Sequence, residues 1–576
     1  MRNLRSSISM LSLLCVATLT GCTTLPSNTE PHAIRSFEPT KPDAPVIVPE
    51  DGQQPDLIVR DFFAACAHPT SDFEVARNFL TPRASEAWNP GDKKLIVEGL
   101  DIKTALGDEG SAKPNTFLVT ANIVGELWPG GAFVPNTGQF EGELSVEQVN
   151  GQWRISNLPN DLVLERTELS KNYQHINLYF FDAPGQSLVT DKRWVYSRHK
   201  AVDSELARML VEGPAEQLLP ALSVETPESV AFVGHNQGRY EFTGFGDADE
   251  QTRARFAAQL VWTLAIAGIA GPYSIYADGT PLVGGSPELN TRDFTDLDPS
   301  GRVPGGRAVY AQSNGNVFRI KEGEVTPLPA PLGEGGRIAS IDIASDGAYA
   351  AALKDSPDGE QAFYFGSMDG DTVAFHREVF RAKSMTRPTF ETDHRVAWTV
   401  ADGSRIKRAV RSATTDDVTV SDVDLVLPNG VEENISVLRL SRTGARAVFI
   451  AGGRLFVGVV KRDEDGGRSI VNVAEYAPDL GGAVSAEWQP DGSLIVGTSN
   501  VIAPVVRVEQ DGFSSEPLPI GNITAPVVAV GSTDSTIYAT DSSSILELPA
   551  KNRNQPFWRE VPGLQGMRSA PIIARR

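Results

Sequence analysis

The sequence predicts a multidomain protein in which α+β domains come first and an all-β propeller of six blades comes last. Up to about residue 288, apolar residues at helical spacing alternate with segments of alternating apolar and polar residues. From residue 300 onward, pairs of short strands recur around tight turns about every 40–50 residues, which is typical of propeller blades. Of the 576 residues, 41% are hydrophobic and 22% are charged, as expected for a folded chain.

The formal net charge of -21 limits the classes of partner. Binding to nucleic acid needs a basic face that attracts phosphate groups, so we expect no nucleic acid partner. The three cysteines are too few to form a disulfide framework.

Residues 1–21 are predicted to be a lipoprotein signal peptide. Two arginines precede an apolar stretch that is too short to cross a hydrocarbon core of about 30 Å. The stretch ends in Leu-Thr-Gly-Cys, which resembles the bacterial lipobox and places signal cleavage between Gly21 and Cys22. The motif implies that Cys22 carries a diacylglycerol, with palmitate among its acyl chains, and anchors the protein to the extracytoplasmic face of the cell membrane. The alternative is an ordinary secretory signal followed by a chance cysteine.

Residues 22–52 are predicted to be a proline-rich tether that holds the folded body away from the membrane. Because the mature chain is acidic, anionic headgroups repel it and the acyl chains must supply the attachment. With Cys22 acylated, Cys66 has no cysteine partner. Its place in an apolar helix favours a buried structural thiol over a catalytic one.

The first domain spans 53–165 and is predicted to place helices before an antiparallel sheet. Pro55 can begin a helix, and a second helix runs near Asp72–Leu80 with apolar residues at helical spacing. Alternating residues then predict strands, and Asn150-Gly151 predicts a hairpin turn. This order resembles the cone-shaped fold of nuclear-transport-factor-2-like (NTF2-like) domains.

The second domain spans 166–288 and mixes strands with two helices. Asp203 or Ser204 is predicted to cap the first of these helices. A longer helix near Glu250–Ile269 presents an apolar face. The sequence Glu-Leu-Ala-Arg-Met-Leu-Val-Glu-Gly-Pro at 205–214 and the long apolar helix resemble the GerMN domain.

The third domain spans 300–576 and carries the repeat. Each of five turns follows one short strand and precedes an apolar one, and the turns fall at Gly347, His394, Gly444, Gly492 and Asp534. Four strands per unit at this period predict a β-propeller. We expect a sixth unit to be split between 308–320 and 570–574, which would leave no open sheet edge. A β-sandwich is the alternative and fits the regular spacing less well.

No linear motif points to a catalytic, metal or cofactor site. The sequence lacks a nucleophile elbow, a phosphate-binding loop and zinc-binding signatures, and its seven histidines have no ligand-like spacing. Acidic loop tips at 369–371 and 463–465 fit solvated turns better than calcium sites. We therefore predict that the protein is not an enzyme and has no cofactor.

The succession of lipobox, tether, helix-then-sheet domain, GerMN-like domain and propeller resembles the actinobacterial LpqB lipoprotein family over essentially the whole chain. The resemblance implies a non-enzymatic accessory of a two-component system, which binds the extracytoplasmic part of a sensor histidine kinase, MtrB. It would thereby influence phosphorylation of the regulator MtrA, envelope maintenance and cell division. Only Cys22 carries over as a functional residue.

Two other functions stay open. The protein could bind a cell-wall ligand, either glycan or peptide, or hydrolyse it through paired carboxylates in a propeller cleft. It could instead be a structural scaffold of the envelope with no signalling output.

Overall fold

The computed structural model describes residues 47–107, 111–197, 201–301, 307–333, 337–344, 346–375, 377–550 and 557–574. The predicted signal peptide, Gly21, Cys22 and the tether as far as residue 46 lie outside these residues. Within the part described, no helix combines the length and apolar character needed to cross a membrane.

Three helices and a five-stranded sheet build the N-terminal domain. The helices are α1 (Pro55–Ala65), α2 (Thr70–Arg77) and α3 (Pro82–Ala87). The strands are β1 (Lys94–Leu106), β2 (Ala112–Leu127), β3 (Phe133–Val149), β4 (Gln152–Asn157) and β5 (Leu162–Glu165). Their order is β4-β3-β2-β1-β5, and all pairs are antiparallel except β1 with β5. The helices bury their apolar residues against this sheet.

Local sequence signals explain much of this domain. Pro55 takes the first helical position of α1, as predicted, because its fixed φ suits that position and its missing N–H costs nothing there. Asn150 and Gly151 adopt φ of 53° and 78° and form the predicted hairpin turn between β3 and β4. The helix predicted near Asp72–Leu80 is displaced, since α2 ends at Arg77. Cys66 is buried just after α1, and burial raises the pKa of its thiol, as expected for a structural residue.

The middle domain contains a hairpin, a small mixed sheet and three helices. Its elements are α4 (Arg166–Asn172), β6 (Tyr173–Phe181), β7 (Leu188–Tyr196), α5 (Val202–Glu212), β8 (Ala231–Asn236), β9 (Arg239–Thr243), α6 (Glu250–Ile266), β10 (Ser274–Ala277) and β11 (Thr280–Pro281). Strands β6 and β7 pair with each other, and the other sheet has the order β11-β10-β9-β8. The predicted apolar face of α6 is buried through Phe256, Leu260, Val261 and Leu264.

Both helix boundaries predicted in the middle domain need correction. Helix α5 begins after Ala201, and the Asp203 carboxylate accepts a hydrogen bond from the next residue's N–H instead of capping the helix. Helix α6 ends at Ile266 rather than Ile269, because Gly268 takes a φ of 78° that leaves the helical region. Its start is conventional, since the Asp249 side chain accepts the Thr252 N–H at 2.7 Å.

The C-terminal region is a series of small antiparallel sheets. In chain order its described strands form six groups. The first group is β12 (Val309–Ser313), β13 (Asn316–Lys321) and β14 (Glu324–Pro327), the second is β15 (Ile338–Ile343), β16 (Tyr349–Asp355), β17 (Gln361–Asp369), β18 (Thr372–Ala374) and β19 (Glu378–Ala382), and the third is β20 (Thr389–Phe390), β21 (Val396–Ala401), β22 (Arg405–Arg411) and β23 (Val418–Leu425). The fourth group is β24 (Ile435–Leu440), β25 (Arg446–Ala451), β26 (Arg454–Arg462) and β27 (Arg468–Glu475), the fifth is β28 (Ala483–Trp488), β29 (Leu494–Thr498), β30 (Val505–Val508) and β31 (Ser515–Pro517), and the sixth is β32 (Ala529–Ser532), β33 (Thr536–Thr540), β34 (Ile545–Pro549) and β35 (Arg559–Glu560). The third and fourth groups are joined by a short parallel contact of β23 with β27. The last strand, β36 (Ala570–Ile573), pairs with β12 and completes the first group.

The five turns singled out in the sequence connect the first two strands of the second to sixth groups. We call them the opening turns. Neighbouring opening turns touch: His394 Nδ1 lies 2.6 Å from the Asp346 carboxylate, and the Gln489 amide donates to Ser532 at 3.1 Å. These contacts line the opening turns up along one side of the region.

A buried ionic cluster connects the first strands of several groups. Asp342 in β15 lies 2.9 Å from Arg387 and 3.0 Å from Arg439 in β24. Arg439 also reaches Glu487 in β28 at 3.1 Å, and Arg387 donates to the Pro571 carbonyl in β36 at 3.0 Å. The cluster therefore holds strands from four groups around one point, and its charges are compensated where burial would otherwise make them costly.

Candidate functional site

The three domains meet around the loop 509–513, which connects β30 and β31. Lys192 in β7 pairs with Glu509 at 2.7 Å, and the Trp194 indole N–H donates to Asp511 at 3.0 Å. The centre of the Phe513 ring lies 4.3 Å from the centre of the Trp194 ring and 5.2 Å from the centre of the Phe133 ring. Phe133 belongs to the N-terminal domain. One loop of the β-rich region thus contacts both preceding domains.

A second set of contacts fixes the N-terminal domain to the middle domain. Arg193 forms a buried ion pair with Asp191 at 2.8 Å and donates to the Gly130 carbonyl at 2.8 Å. The next residue, Gly131, has a φ of 81°, and a Cβ there would lie 2.2 Å from the Trp194 carbonyl oxygen. Only glycine permits this close approach of the two backbones. We call the whole contact region the seam.

A cavity of about 850 Å³ opens beside the seam, between the β6–β7 hairpin and the opening turns. We call it the seam cavity. Its walls combine charged, amide, aromatic and apolar side chains. The charged residues are Arg442, Arg446 and Arg507 together with the acidic Asp491, Glu516 and Asp534. The other lining residues include Asn177, Gln510, Thr190, Tyr179, Trp488, Ile266, Ile520 and several prolines. Cavities of this size and mixed lining are typical of small-ligand sites.

One end of the seam cavity is cationic. The Arg446 guanidinium donates to the Thr190 carbonyl at 2.9 Å, and the Arg442 guanidinium donates to the Pro299 carbonyl at 2.6 Å. Thr190 faces Tyr179 across the hairpin, and burial raises the pKa of the Tyr179 phenol. Burial also lowers the pKa of Arg446, since a desolvated cation is disfavoured. Two guanidinium groups and a phenol therefore share one end of the seam cavity.

The cavity lining also includes apolar side chains that are partly exposed. Ile266, at the end of α6, and Ile520 each keep 44% of their surface exposed although they line the cavity. At the rim, Arg507 pairs with Asp491 at 2.7 Å, so these two charges compensate each other. The arrangement can hold a small molecule whose anionic group lies at the cationic end.

A second cavity of about 890 Å³ lies between the N-terminal and middle domains. It contains Trp128, whose indole N–H donates to Glu126 at 3.0 Å. The Lys93 ammonium sits 3.6 Å from the centre of the Trp128 ring. This cation already covers one face of the ring, so that face is not free to stack on a sugar.

Several other residues considered in the sequence have local partners. Among the described residues, no group of three or more His, Cys, Asp or Glu side chains is placed to hold a metal ion. At the acidic loop tips, Asp371 pairs with Arg319 and Asp463 pairs with Lys461. His68 shares a hydrogen bond of 2.8 Å with Tyr196 beside the buried Cys66.

The fold and the seam define a class of protein: two small α+β domains fixed to a large repetitive β domain. Comparisons with known families agree with this organisation. Residues 48–170 match the Lipoprotein LpqB N-terminal domain, residues 177–283 match a domain described as Sporulation and spore germination, and residues 315–574 match the Lipoprotein LpqB beta-propeller domain. The chain belongs to the LpqB lipoprotein family.

Relatives match over nearly their whole length. A Lipoprotein LpqB from Corynebacterium diphtheriae is 36% identical, and the match covers 98% of each chain. One from Rhodococcus opacus is 34% identical over 99% of this chain and 98% of its own. Among solved structures, a chain of the Nidogen/Laminin complex is 13% identical over 47% of this chain and 98% of its own, with a TM-score of 0.35 that carries no argument about function.

Proposed function

We propose that the protein is a membrane-anchored extracytoplasmic lipoprotein that modulates an MtrB-like sensor histidine kinase by protein–protein binding. Through the kinase it would influence envelope homeostasis and cell division. Membership of a lipoprotein family and the lipobox at Cys22 support the anchor. A lipid anchor confines the protein beside an integral membrane partner and raises its effective concentration there.

The observation that carries this proposal is the seam. It joins three domains through ion pairs, hydrogen bonds and aromatic contacts into one body on a single anchor. A body of fixed shape can favour one conformation of a kinase over another, which is the condition for changing its activity.

We also propose that the β-rich region closes into a six-bladed propeller and that the N-terminal domain has the NTF2-like cone shape. Closure is supported by the pairing of β36 with β12 and by the ionic cluster that gathers strands from four groups. A rigid propeller would present broad loop-bearing faces for protein binding. The cone shape is supported by helices packed against a long antiparallel sheet.

The first experiment is a crosslink and pull-down from intact membranes, with partners identified by mass spectrometry. The wild-type protein is compared with Cys22→Ala, which has no thiol for the lipid, and with Cys66→Ala as a matched control that keeps the lipobox. We expect a sensor kinase with the wild type and Cys66→Ala but not with Cys22→Ala. Recovery of wall enzymes or glycan without a kinase would count against the proposal.

A functional readout separates binding from modulation. The kinase is reconstituted in vesicles with and without the acylated protein, and its autophosphorylation rate is measured. We expect the rate to change only when the protein is anchored. An unchanged rate, together with unchanged regulator phosphorylation in a deletion strain under envelope stress, would leave only the scaffold function.

A second function, binding of a cell-wall ligand, is favoured by the seam cavity. Its volume of about 850 Å³ and its cationic end are suited to a small anionic molecule.

A further inference from the structure

We propose that the seam cavity binds a short peptide that ends in a free carboxylate, with Arg446 as the group that holds this carboxylate. The inference deepens the ligand-binding function and does not depend on kinase modulation, because binding can be measured on the protein alone. The volume of about 850 Å³ lies within the range of about 300–1,000 Å³ that small-ligand sites occupy.

Arg446 has the capacity to bind an anion. Its guanidinium makes one hydrogen bond, to the Thr190 carbonyl, and it forms no ion pair with any residue that the structure describes. The nearby Asp191 and Asp511 are engaged elsewhere, with Arg193 at 2.8 Å and with Trp194 at 3.0 Å. A planar guanidinium with unused donors is matched to a carboxylate, which can accept two parallel hydrogen bonds.

The other walls suit a peptide better than an alkyl chain. Asn177, Tyr179 and Gln510 line the cavity with groups that can pair with peptide N–H and C=O. An alkyl chain would desolvate these polar groups without offering them hydrogen bonds, whereas a peptide can both donate and accept. Ile266 and Ile520 are each 44% exposed, and they offer apolar surface to the side chains of the ligand.

The binding test uses the full-length protein in detergent and isothermal titration calorimetry. The probe is acetyl-Leu-Pro-Ala-Leu with a free C-terminal carboxylate, and its matched control is the same peptide as a C-terminal amide. We expect the acid to bind at least about tenfold tighter, since only the acid makes a charge-assisted bond to Arg446. Arg446→Gln should abolish this difference between acid and amide.

Because Arg446 also contacts the seam, variants of an exposed residue provide an independent test. Ile520→Glu places a negative charge in the cavity and should weaken binding of the acid by about tenfold or more. Ile520→Lys removes the same apolar contact but adds a positive charge, so it should weaken binding less. Ile502→Glu is the matched control, because Ile502 is 73% exposed in the same strand group and does not line the cavity.

Four results would overturn the proposal. They are equal affinity for acid and amide, no binding of the acid, equal effects of Ile520→Glu and Ile502→Glu, and tighter binding of decanoate than of the peptide. The last result would assign the cavity to a lipid carboxylate. None of them bears on the pull-down of the kinase, so failure of the two proposals can be told apart.

Discussion

At the scale of single residues, Arg439 is a buried cation that connects strands of different groups in the β-rich region. It is 3% exposed and connects Asp342 to Glu487 at 3.0 and 3.1 Å. Burial alone would lower the pKa of Arg439, but the two carboxylates outweigh burial and raise it. We expect Arg439→Gln to lower the free energy of unfolding by about 3–5 kcal/mol, because it removes the cation that the buried carboxylates of Asp342 and Glu487 share. Urea denaturation followed by circular dichroism measures the change.

Arg381→Gln is the control for that experiment. Arg381 is 43% exposed and pairs with Glu378 on the surface at 2.6 Å. Solvent screens such a pair, so its loss should leave the free energy of unfolding nearly unchanged. Similar losses from the two variants would mean that the buried cluster does not stabilise the β-rich region.

Asp541 makes stability depend on pH. Burial opposes its ionisation, yet hydrogen bonds from the Ser543 and Ser544 N–H groups at 2.8 and 3.1 Å and from the Thr524 hydroxyl at 3.0 Å outweigh burial. Together they hold the pKa of Asp541 below its usual value. The ionised Asp541 therefore contributes its full stabilisation of the folded state above the pKa of an Asp in the unfolded chain, about 3.9. This contribution is lost as the pH falls through the lower pKa that Asp541 has in the folded state.

The variant Asp541→Asn isolates this contribution. At pH 7 we expect it to be about 1–3 kcal/mol less stable than the wild type. Below about pH 4 the difference should shrink, because the wild-type carboxyl becomes protonated and resembles the amide. Urea denaturation of both proteins between pH 7 and pH 3 provides the comparison, and a difference that widens on acidification would contradict this account.

At the scale of elements, β36 is the strand whose removal should matter most. It pairs with β12 and buries Ile572 and Ile573, which are 1% and 6% exposed. In a chain that is truncated before Ala570, the loss of these two buried side chains should lower the free energy of unfolding by about 3–6 kcal/mol. The truncation also exposes the edge of β12. We expect a lower melting temperature and aggregation by calorimetry and light scattering. Removal of residues 575–576 alone should change neither quantity.

Elements with local signals could be predicted from the sequence, and elements set by distant pairing could not. The Asn150-Gly151 turn and the apolar face of α6 depend on neighbouring residues, and both are confirmed. Strand β1 was missed because its pairing with β2 shifts register three times, which breaks the alternation that identifies a strand. The cap of α5 was misplaced because Asp203 bonds its neighbour inside the first turn.

At the scale of the whole molecule, Phe513 is the residue that all three domains share. Its ring is 7% exposed and contacts both Trp194 and Phe133. We expect Phe513→Ala to weaken the seam by about 3–5 kcal/mol, as for a core Phe truncation. Calorimetry should then resolve separate transitions, and X-ray scattering should give a larger radius of gyration.

Phe557→Ala is the matched control, since Phe557 is 63% exposed. It should leave both measurements unchanged. A single unaltered transition in Phe513→Ala would mean that the domains stay coupled through their other contacts alone.

The candidate site illustrates why function was harder to predict than fold. Cys22 could be proposed as a lipidation site because the lipobox is contiguous in sequence. The seam cavity takes Thr190 from one domain and Arg446 from another, and a hydrogen bond in the folded structure brings them together. Neither residue stands in a motif, so no pattern along the chain could have paired them.

The pairing of β12 with β36 also sets an order of events during biogenesis. The first sheet of the β-rich region needs β36, which follows β12 by about 260 residues in the chain. In the proposed export N-terminus first, β12 would leave the cytoplasm long before its partner follows. During that interval the edge of β12 would be open to pairing with other chains. Folding would then depend on how fast translocation finishes, and a chaperone that shields strand edges would act in that interval.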